Sequence, residues 1–196
     1  MFGILAFGDS ITFGRGSRPS YSWAELFKKD FEKKDSENVF YNLGVPGDTS
    51  KTLLNRIEIE SDVRIQKYRE NSRFVILIMT GTNDTKVMNA KIETKSKLFK
   101  SNYKKIIKKA LKYTNDIIII GLTPVDERKT QPFQDKFFSN ETILEYNQIL
   151  REIALENNLK FIDVFMLEPH DFADGLHPNK KGHKKLYHAI KNELHF

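Results

Sequence analysis

Residues 3–12 read GILAFGDSIT: the apolar run Ile4 to Phe7, then Gly8, Asp9 and Ser10. An unbroken apolar run of this length suits a strand buried on both faces, and glycine, aspartate and serine suit the turn that follows it. The same pattern recurs along the chain. Val39 to Leu43 runs into GVPGDTS, Phe74 to Met79 into TGTND, Ile117 to Ile120 into GLTPVDE, and Phe161 to Ile162 into the segment from Asp163 to His177. Between these runs, helical periodicity predicts helices near Ser22 to Lys34, Lys51 to Arg69, Ile92 to Tyr113, Asn140 to Asn157 and Asn179 to Leu194. Strands alternating with helices give an α/β class with a mostly parallel sheet. In such a sheet the loops after the strands share one edge, where ligands bind, so five polar segments are expected at one rim.

The whole chain sets bounds on what that rim does. Its 196 residues are read as one domain, 1–196, with 39% apolar and 30% charged content, as in ordinary globular proteins. The apolar runs are too short to span a bilayer, and the first leads directly into Gly8-Asp9-Ser10, so no secretory signal is expected. With no cysteine, thiol catalysis and cysteine metal sites are excluded, and a cytoplasmic location is expected. The net charge of +6 raises the question of a nucleic-acid or anionic-membrane partner. Much of it lies at Lys91, Lys95, Lys97, Lys100, Lys104, Lys105, Lys108, Lys109 and Lys112, alternating with Leu98, Tyr103, Ile106, Ile107, Ala110 and Leu111. That spacing reads as the solvated face of an amphipathic helix, and without arginine or a binding motif no nucleic-acid partner is expected. The connection from Thr123 to Ser139 carries Pro124, Pro132, Phe133, Phe137 and Phe138, and is expected to form a wall or lid over the rim.

A serine in a turn is common, so Ser10 acquires meaning from the last polar segment, HDFADGLHPNKKGH. Asp174 and His177 lie three apart there, and the order Ser, Asp, His is one way to assemble a nucleophile, a carboxylate and a base. Pro178 biases His177 away from helical geometry and suits the start of the last helix. Two other readings stay open on spacing alone. His170, Asp171, Asp174 and His177 carry ligand atoms for a divalent metal, although no HExxH arrangement is present, and Asp174-Gly175 is also an ordinary turn. The glycines of GDSITFGRG lack the GK[ST] of a phosphate loop. Acyl transfer further needs donors for a developing oxyanion. Gly47 can bring a bare backbone N–H close to a ligand, and Asn83 offers an amide.

Taken together, GDSIT, NLGVPGDTS, GTND and DGLHP, in this order from the first strand to the last helix, resemble the four blocks of the SGNH hydrolases, the GDSL-type esterases and lipases. The resemblance implies a three-layer α/β/α sandwich with a five-stranded parallel sheet in the flavodoxin-like order 2-1-3-4-5. It implies Ser10 as nucleophile, His177 as base and Asp174 as its orienting partner, with the Ser10 N–H, Gly47 and Asn83 as oxyanion donors. Asp9, Thr12 and Asp84 match flanking positions and are read as supporting or turn-stabilising groups, as is Asp163 after the last strand. The G-x-S-x-G pentapeptide of ordinary α/β hydrolases does not occur.

The expected activity is therefore hydrolysis of a carboxylic ester through an acyl-enzyme on Ser10, with no metal or organic cofactor. The resemblance allows a small substrate such as a short-chain acyl ester, a lysophospholipid or a thioester, and as an alternative a carbohydrate O-acetyl group. A reading from a different class is a non-catalytic protein that holds nucleic acid or anionic lipid on the lysine-rich helix. Acyl chain length, the alcohol part and oligomeric state are not encoded in these motifs.

Overall fold

A computed structural model describes residues 1–65 and 71–194. Among these residues seven strands are formed: β1 (Phe2–Gly8), β2 (Val39–Gly44), β3 (Arg73–Met79), β4 (Val87–Met88), β5 (Lys91–Ile92), β6 (Ile117–Ile120) and β7 (Lys160–Ile162). Five of them pair in parallel in the order β2-β1-β3-β6-β7, while β4 and β5 form a separate antiparallel hairpin. Counting the main-sheet strands alone, this is the expected order 2-1-3-4-5.

Alternating side chains of the central strands feed two cores. Leu5 and Phe7, Ile76 and Ile78, and Ile117 and Ile119 face one core, while Ile4 and Ala6, Val75 and Leu77, and Ile118 and Ile120 face the other. The first is closed by α3 (Ser50–Asp62), α4 (Ser96–Ala110) and α6 (Asn140–Glu156), through Leu53, Phe99, Tyr103, Tyr146 and Leu150. The second is closed by α2 (Trp23–Lys34) and α7 (Lys180–Glu193), through Trp23, Phe27, Leu186 and Ile190. Burial on both faces is why these strands are continuous apolar runs, each large side chain contributing about 1.5–3 kcal/mol.

The helices start where the sequence supplies caps. Ser22 accepts from the Glu25 N–H at 3.2 Å, and Asn179 accepts from the N–H groups of Lys181 and Gly182 at 2.9 and 3.1 Å. Three boundaries differ from the sequence reading. The third predicted helix begins at Ser96, because Ile92 pairs with Val87 in the hairpin. The second ends at Asp62, and residues 66–69 of its predicted span lie outside the described residues. The connection from Thr123 to Ser139 contains a short helix, α5 (Glu127–Thr130).

Half of the lysines of α4 are matched by glutamates on its neighbours. Lys100 reaches Glu152 at 2.7 Å, Lys104 reaches Glu156 at 2.8 Å, and Lys109 and Lys112 both reach Glu58. This face thus ties α4 to α3 and α6 and presents less net positive charge than the sequence alone suggests. Among the described residues, no helix is long and apolar enough to cross a membrane.

Candidate active site

Gly8 ends β1, and Asp9 caps the four-residue helix α1 (Ser10–Phe13) by accepting from the Ile11 N–H at 2.9 Å. Ser10 therefore stands at the first position of that helix, at the carboxyl edge of the sheet. At the other end of the chain, residues 171–179 fold back on themselves: Ala173 donates to the His177 carbonyl and Asn179 to the Asp171 carbonyl, both at 2.8 Å. This loop carries His177 across to Ser10, 167 positions away in sequence, with Nε2 3.0 Å from the Ser10 Oγ. The other ring nitrogen, Nδ1, lies 2.7 Å from Asp174 Oδ2, and Asp174 Oδ1 accepts from the backbone N–H groups of His177 and Leu176 at 2.7 and 3.0 Å. Burial opposes ionisation of Asp174, but hydrogen bonds from the His177 ring and backbone outweigh it and hold the carboxyl at about 2.

These bonds also bear on the four-residue metal reading. Both oxygens of Asp174 and both ring nitrogens of His177 are engaged within the Ser10–His177–Asp174 chain. Asp171 bonds elsewhere, its Oδ2 accepting from the Lys185 ammonium at 2.6 Å and the Glu168 N–H at 3.0 Å. The four residues therefore do not converge on one point.

Gly47 and Asn83 complete the same cleft. Its volume is about 420 Å³, and its lining includes Ser10, Gly47, Asn83, Asp174 and His177. Gly47 follows β2 at φ +88°, and a Cβ built there meets nothing within 4 Å, so its backbone faces open space. Asn83 lies in the 3₁₀ turn Thr82–Thr85 after β3, and its amide donates to the Asp48 carbonyl at 3.0 Å. An amide carries two N–H groups, so this bond orients the side chain and leaves a second donor. It reaches across to the neighbouring loop and makes no turn of its own.

Asp9 and Asp84 do more than stabilise turns. Asp9 is fully enclosed, and burial, only partly offset by the Ile11 hydrogen bond, raises its carboxyl to about 7. Asp84 reaches 34 residues back to accept from the Ser50 N–H and hydroxyl at 2.8 and 2.6 Å, fastening the start of α3; burial also raises its pKa. Thr12 packs under Gly8, where an added Cβ would lie 2.0 Å from the Thr12 Oγ1. Asp163 accepts from the Phe165 N–H at 2.9 Å and pairs with Arg151, as a local turn group does.

Sequence reading missed two residues. Arg56 on α3 donates to Asp48 at 2.7 Å and to the carbonyls of Gly8 and Leu43 at 3.2 and 2.9 Å, tying together the ends of two strands and the loop of Gly47. His183, fully buried on α7, donates from Nε2 to the Arg15 carbonyl at 2.9 Å and accepts from the Trp23 N–H at 3.4 Å. Burial keeps it neutral by lowering its pKa. The Thr123–Ser139 connection forms one wall, with the Phe133 ring edge-on to His177 at 6.1 Å and Phe137 bridged to Val87 of the hairpin.

A sequence profile of the GDSL-like lipase/acylhydrolase family matches residues 6–185. The chain belongs to this family. Its enzyme class is accordingly that of the carboxylic ester hydrolases. Among solved structures it is similar to the lipase/acylhydrolase from Enterococcus faecalis, at 25% identity, 98% of this chain, 95% of that one and a TM-score of 0.77. The native aryl esterase of M. smegmatis superposes with a TM-score of 0.79 over 98% of both chains at 17% identity. An acetylxylan esterase from Geobacillus stearothermophilus, in the form of a catalytic mutant, gives 0.76 over 99% and 94% at 20% identity. At such identities the last two speak for the fold alone. No individually curated protein matches the chain.

Proposed function

We propose that residues 1–196 form one catalytic domain that hydrolyses a small carboxylic ester by acyl transfer to Ser10. The observation that carries this reading is the continuous hydrogen-bonded line Asp174–His177–Ser10, at 2.7 and 3.0 Å. His177, made acceptor at Nε2 by giving its Nδ1–H to Asp174, takes the Ser10 proton as Oγ attacks the ester carbonyl. Negative charge then develops on the carbonyl oxygen, where the N–H groups of Ser10 and Gly47 and the Asn83 amide stand as donors, each worth about 2.7–4 kcal/mol when preorganised. His177 returns the proton to the departing alcohol, and water repeats the sequence on the acyl-enzyme. No step needs a metal or an organic cofactor.

The open, mainly polar cleft favours a short acyl group over a long-chain lipid. A protein that merely binds nucleic acid or anionic lipid through α4 fits less well, because three of the six lysines of that helix, Lys100, Lys104 and Lys109, are paired with Glu152, Glu156 and Glu58. A cytoplasmic location belongs to this same proposal. A fluorophosphonate probe tests it: intact-mass and peptide analysis should find one adduct, on Ser10. Absence of the adduct, or equal hydrolysis of activated esters by Ser10→Ala, would overturn the reading.

A further inference from the structure

Two cations line the cleft without a committed acidic partner. Arg15 and Lys136 both border the space over Ser10 and His177. Arg56, Arg64, Arg73, Arg128 and Arg151 each sit against a carboxylate, whereas Arg15 meets none among the described residues. Lys136 has only its chain neighbour Asp135, 3.9 Å away and 68% exposed. The acid of the cleft lining, Asp174, is turned to His177.

Their backbones are fixed. The Arg15 N–H donates to the Ser10 carbonyl at 2.9 Å, and its carbonyl accepts from the buried His183 at 2.9 Å. Lys136 exchanges both backbone hydrogen bonds with Phe133, at 2.6 and 3.1 Å, and the Phe133 ring rests on His177. Next to Arg15, Gly16 runs so close to the base that an added Cβ would lie 2.9 Å from the His177 Cβ. Both cations are thus launched from segments packed around His177, while two of the three proposed oxyanion donors come from the separate loops of Gly47 and Asn83. In ester cleavage the group beside the base is the alcohol, because His177 must hand its proton to the leaving oxygen.

We propose that Arg15 and Lys136 form an anion subsite on the leaving-group side of the cleft, so that the preferred esters carry a carboxylate or phosphate on their alcohol part. This rests on the serine-esterase reading above. Arginine supplies a planar fork for such an oxyanion and lysine a point charge, and charge-assisted hydrogen bonds discriminate against a neutral isostere.

The test compares kcat/KM for para-acetoxybenzoate and its neutral isostere para-acetoxybenzamide, with para-acetoxyphenyl phosphate as the phosphate arm. The carboxylate is the weaker electron-withdrawing substituent, so intrinsic leaving-group reactivity runs against the expected preference. The native chain should favour at least one anionic ester by about tenfold or more, the scale of one or two charge-assisted hydrogen bonds. The preference should shrink as salt rises. In the Arg15→Ala/Lys136→Ala double variant the ratio should fall to about one, and Arg15→Glu should reverse it. A ratio near one for both anionic arms in the native chain, or an unchanged ratio in the double variant, overturns the subsite while leaving the esterase reading in place. If neither class of ester is turned over and Ser10 takes no fluorophosphonate, both readings fall together.

Discussion

Arg56 holds Asp48 with Nε at 2.7 Å, and the Asp48 carbonyl in turn receives the Asn83 amide at 3.0 Å. One guanidinium on α3 thereby fixes two proposed oxyanion donors, Gly47 through its neighbour Asp48 and Asn83 through the Asp48 carbonyl, and anchors both to the ends of β1 and β2. Arg56→Ala leaves Asp48 a buried charge without its partner, for which a stability loss of about 3 kcal/mol is expected by urea unfolding. A donor displaced by about 1 Å also costs catalysis, so kcat for an activated ester should fall on the order of a hundredfold, with KM moving far less. Unchanged kcat in a folded variant would show that Arg56 supports the sheet alone.

Asp9 is enclosed beside the proposed nucleophile with its pKa raised to about 7 from an ordinary 3.8. Between those values the unfolded chain has lost this proton and the native chain keeps it, so stability contributed by Asp9 falls as pH rises from about 4 to 7. The full effect is roughly 4 kcal/mol at pH 8, from about 1.36 kcal/mol per unit. Asp9→Asn keeps an oxygen for the Ile11 N–H and carries no charge. Its unfolding free energy should exceed that of the native chain at pH 8, with the advantage vanishing near pH 4. An advantage independent of pH would mean that Asp9 does not titrate in this range.

The sheet, and the gathering of the proposed site residues at one rim, were readable in the sequence because both are written locally. Buried parallel strands are continuous apolar runs, and each of Ser10, Gly47, Asn83 and His177 sits directly after a strand or before a capped helix. The hairpin β4–β5 was not readable. Its turn places Asn89 and Ala90 at φ +50° and +57° without a glycine, so the usual hairpin signal is missing, and its polar flanks blend into the lysine-rich helix. Arg56 and His183 were equally hidden, since their partners Gly8 and Arg15 lie 48 and 168 residues away. On a helix each looks like one more polar residue, and only the fold shows what it touches.

Asp174 gives both oxygens to the loop of His177. Asp174→Asn preserves the shape but cannot hold the imidazole with hydrogen on Nδ1 and stabilise its charged form. A loss of about 10⁴ in kcat is expected, against about 10⁶ for Ser10→Ala or His177→Ala, with the double variant no worse than either single one. With its carboxyl held at about 2, below the ordinary 3.8, the stability Asp174 contributes is present above about pH 4 and lost as pH falls through 2. Unfolding curves of native and variant chains should therefore converge in acid. A loss in kcat below tenfold would mean that His177 is oriented by other contacts.

Gly16 and Gly47 both stand at φ +88°, yet alanine is expected to act differently at the two. At either site the left-handed backbone disfavours a side chain, so a stability loss of about 1 kcal/mol is expected at Gly47, lowering Tm by about 2–4 °C, and a larger one at Gly16. At Gly47 the new methyl group meets nothing within 4 Å. At Gly16 it would lie 2.3 Å from the Pro178 carbonyl and 2.9 Å from the His177 Cβ, so the segment carrying the base must shift. In the proposed mechanism Ser10 is activated through His177, so a displacement near 1 Å should slow fluorophosphonate labelling by about a hundredfold in Gly16→Ala. Gly47→Ala keeps its N–H and should label within a few-fold of the native rate. Equal labelling of the two variants would indicate that the turn of Gly16 yields while His177 stays in place.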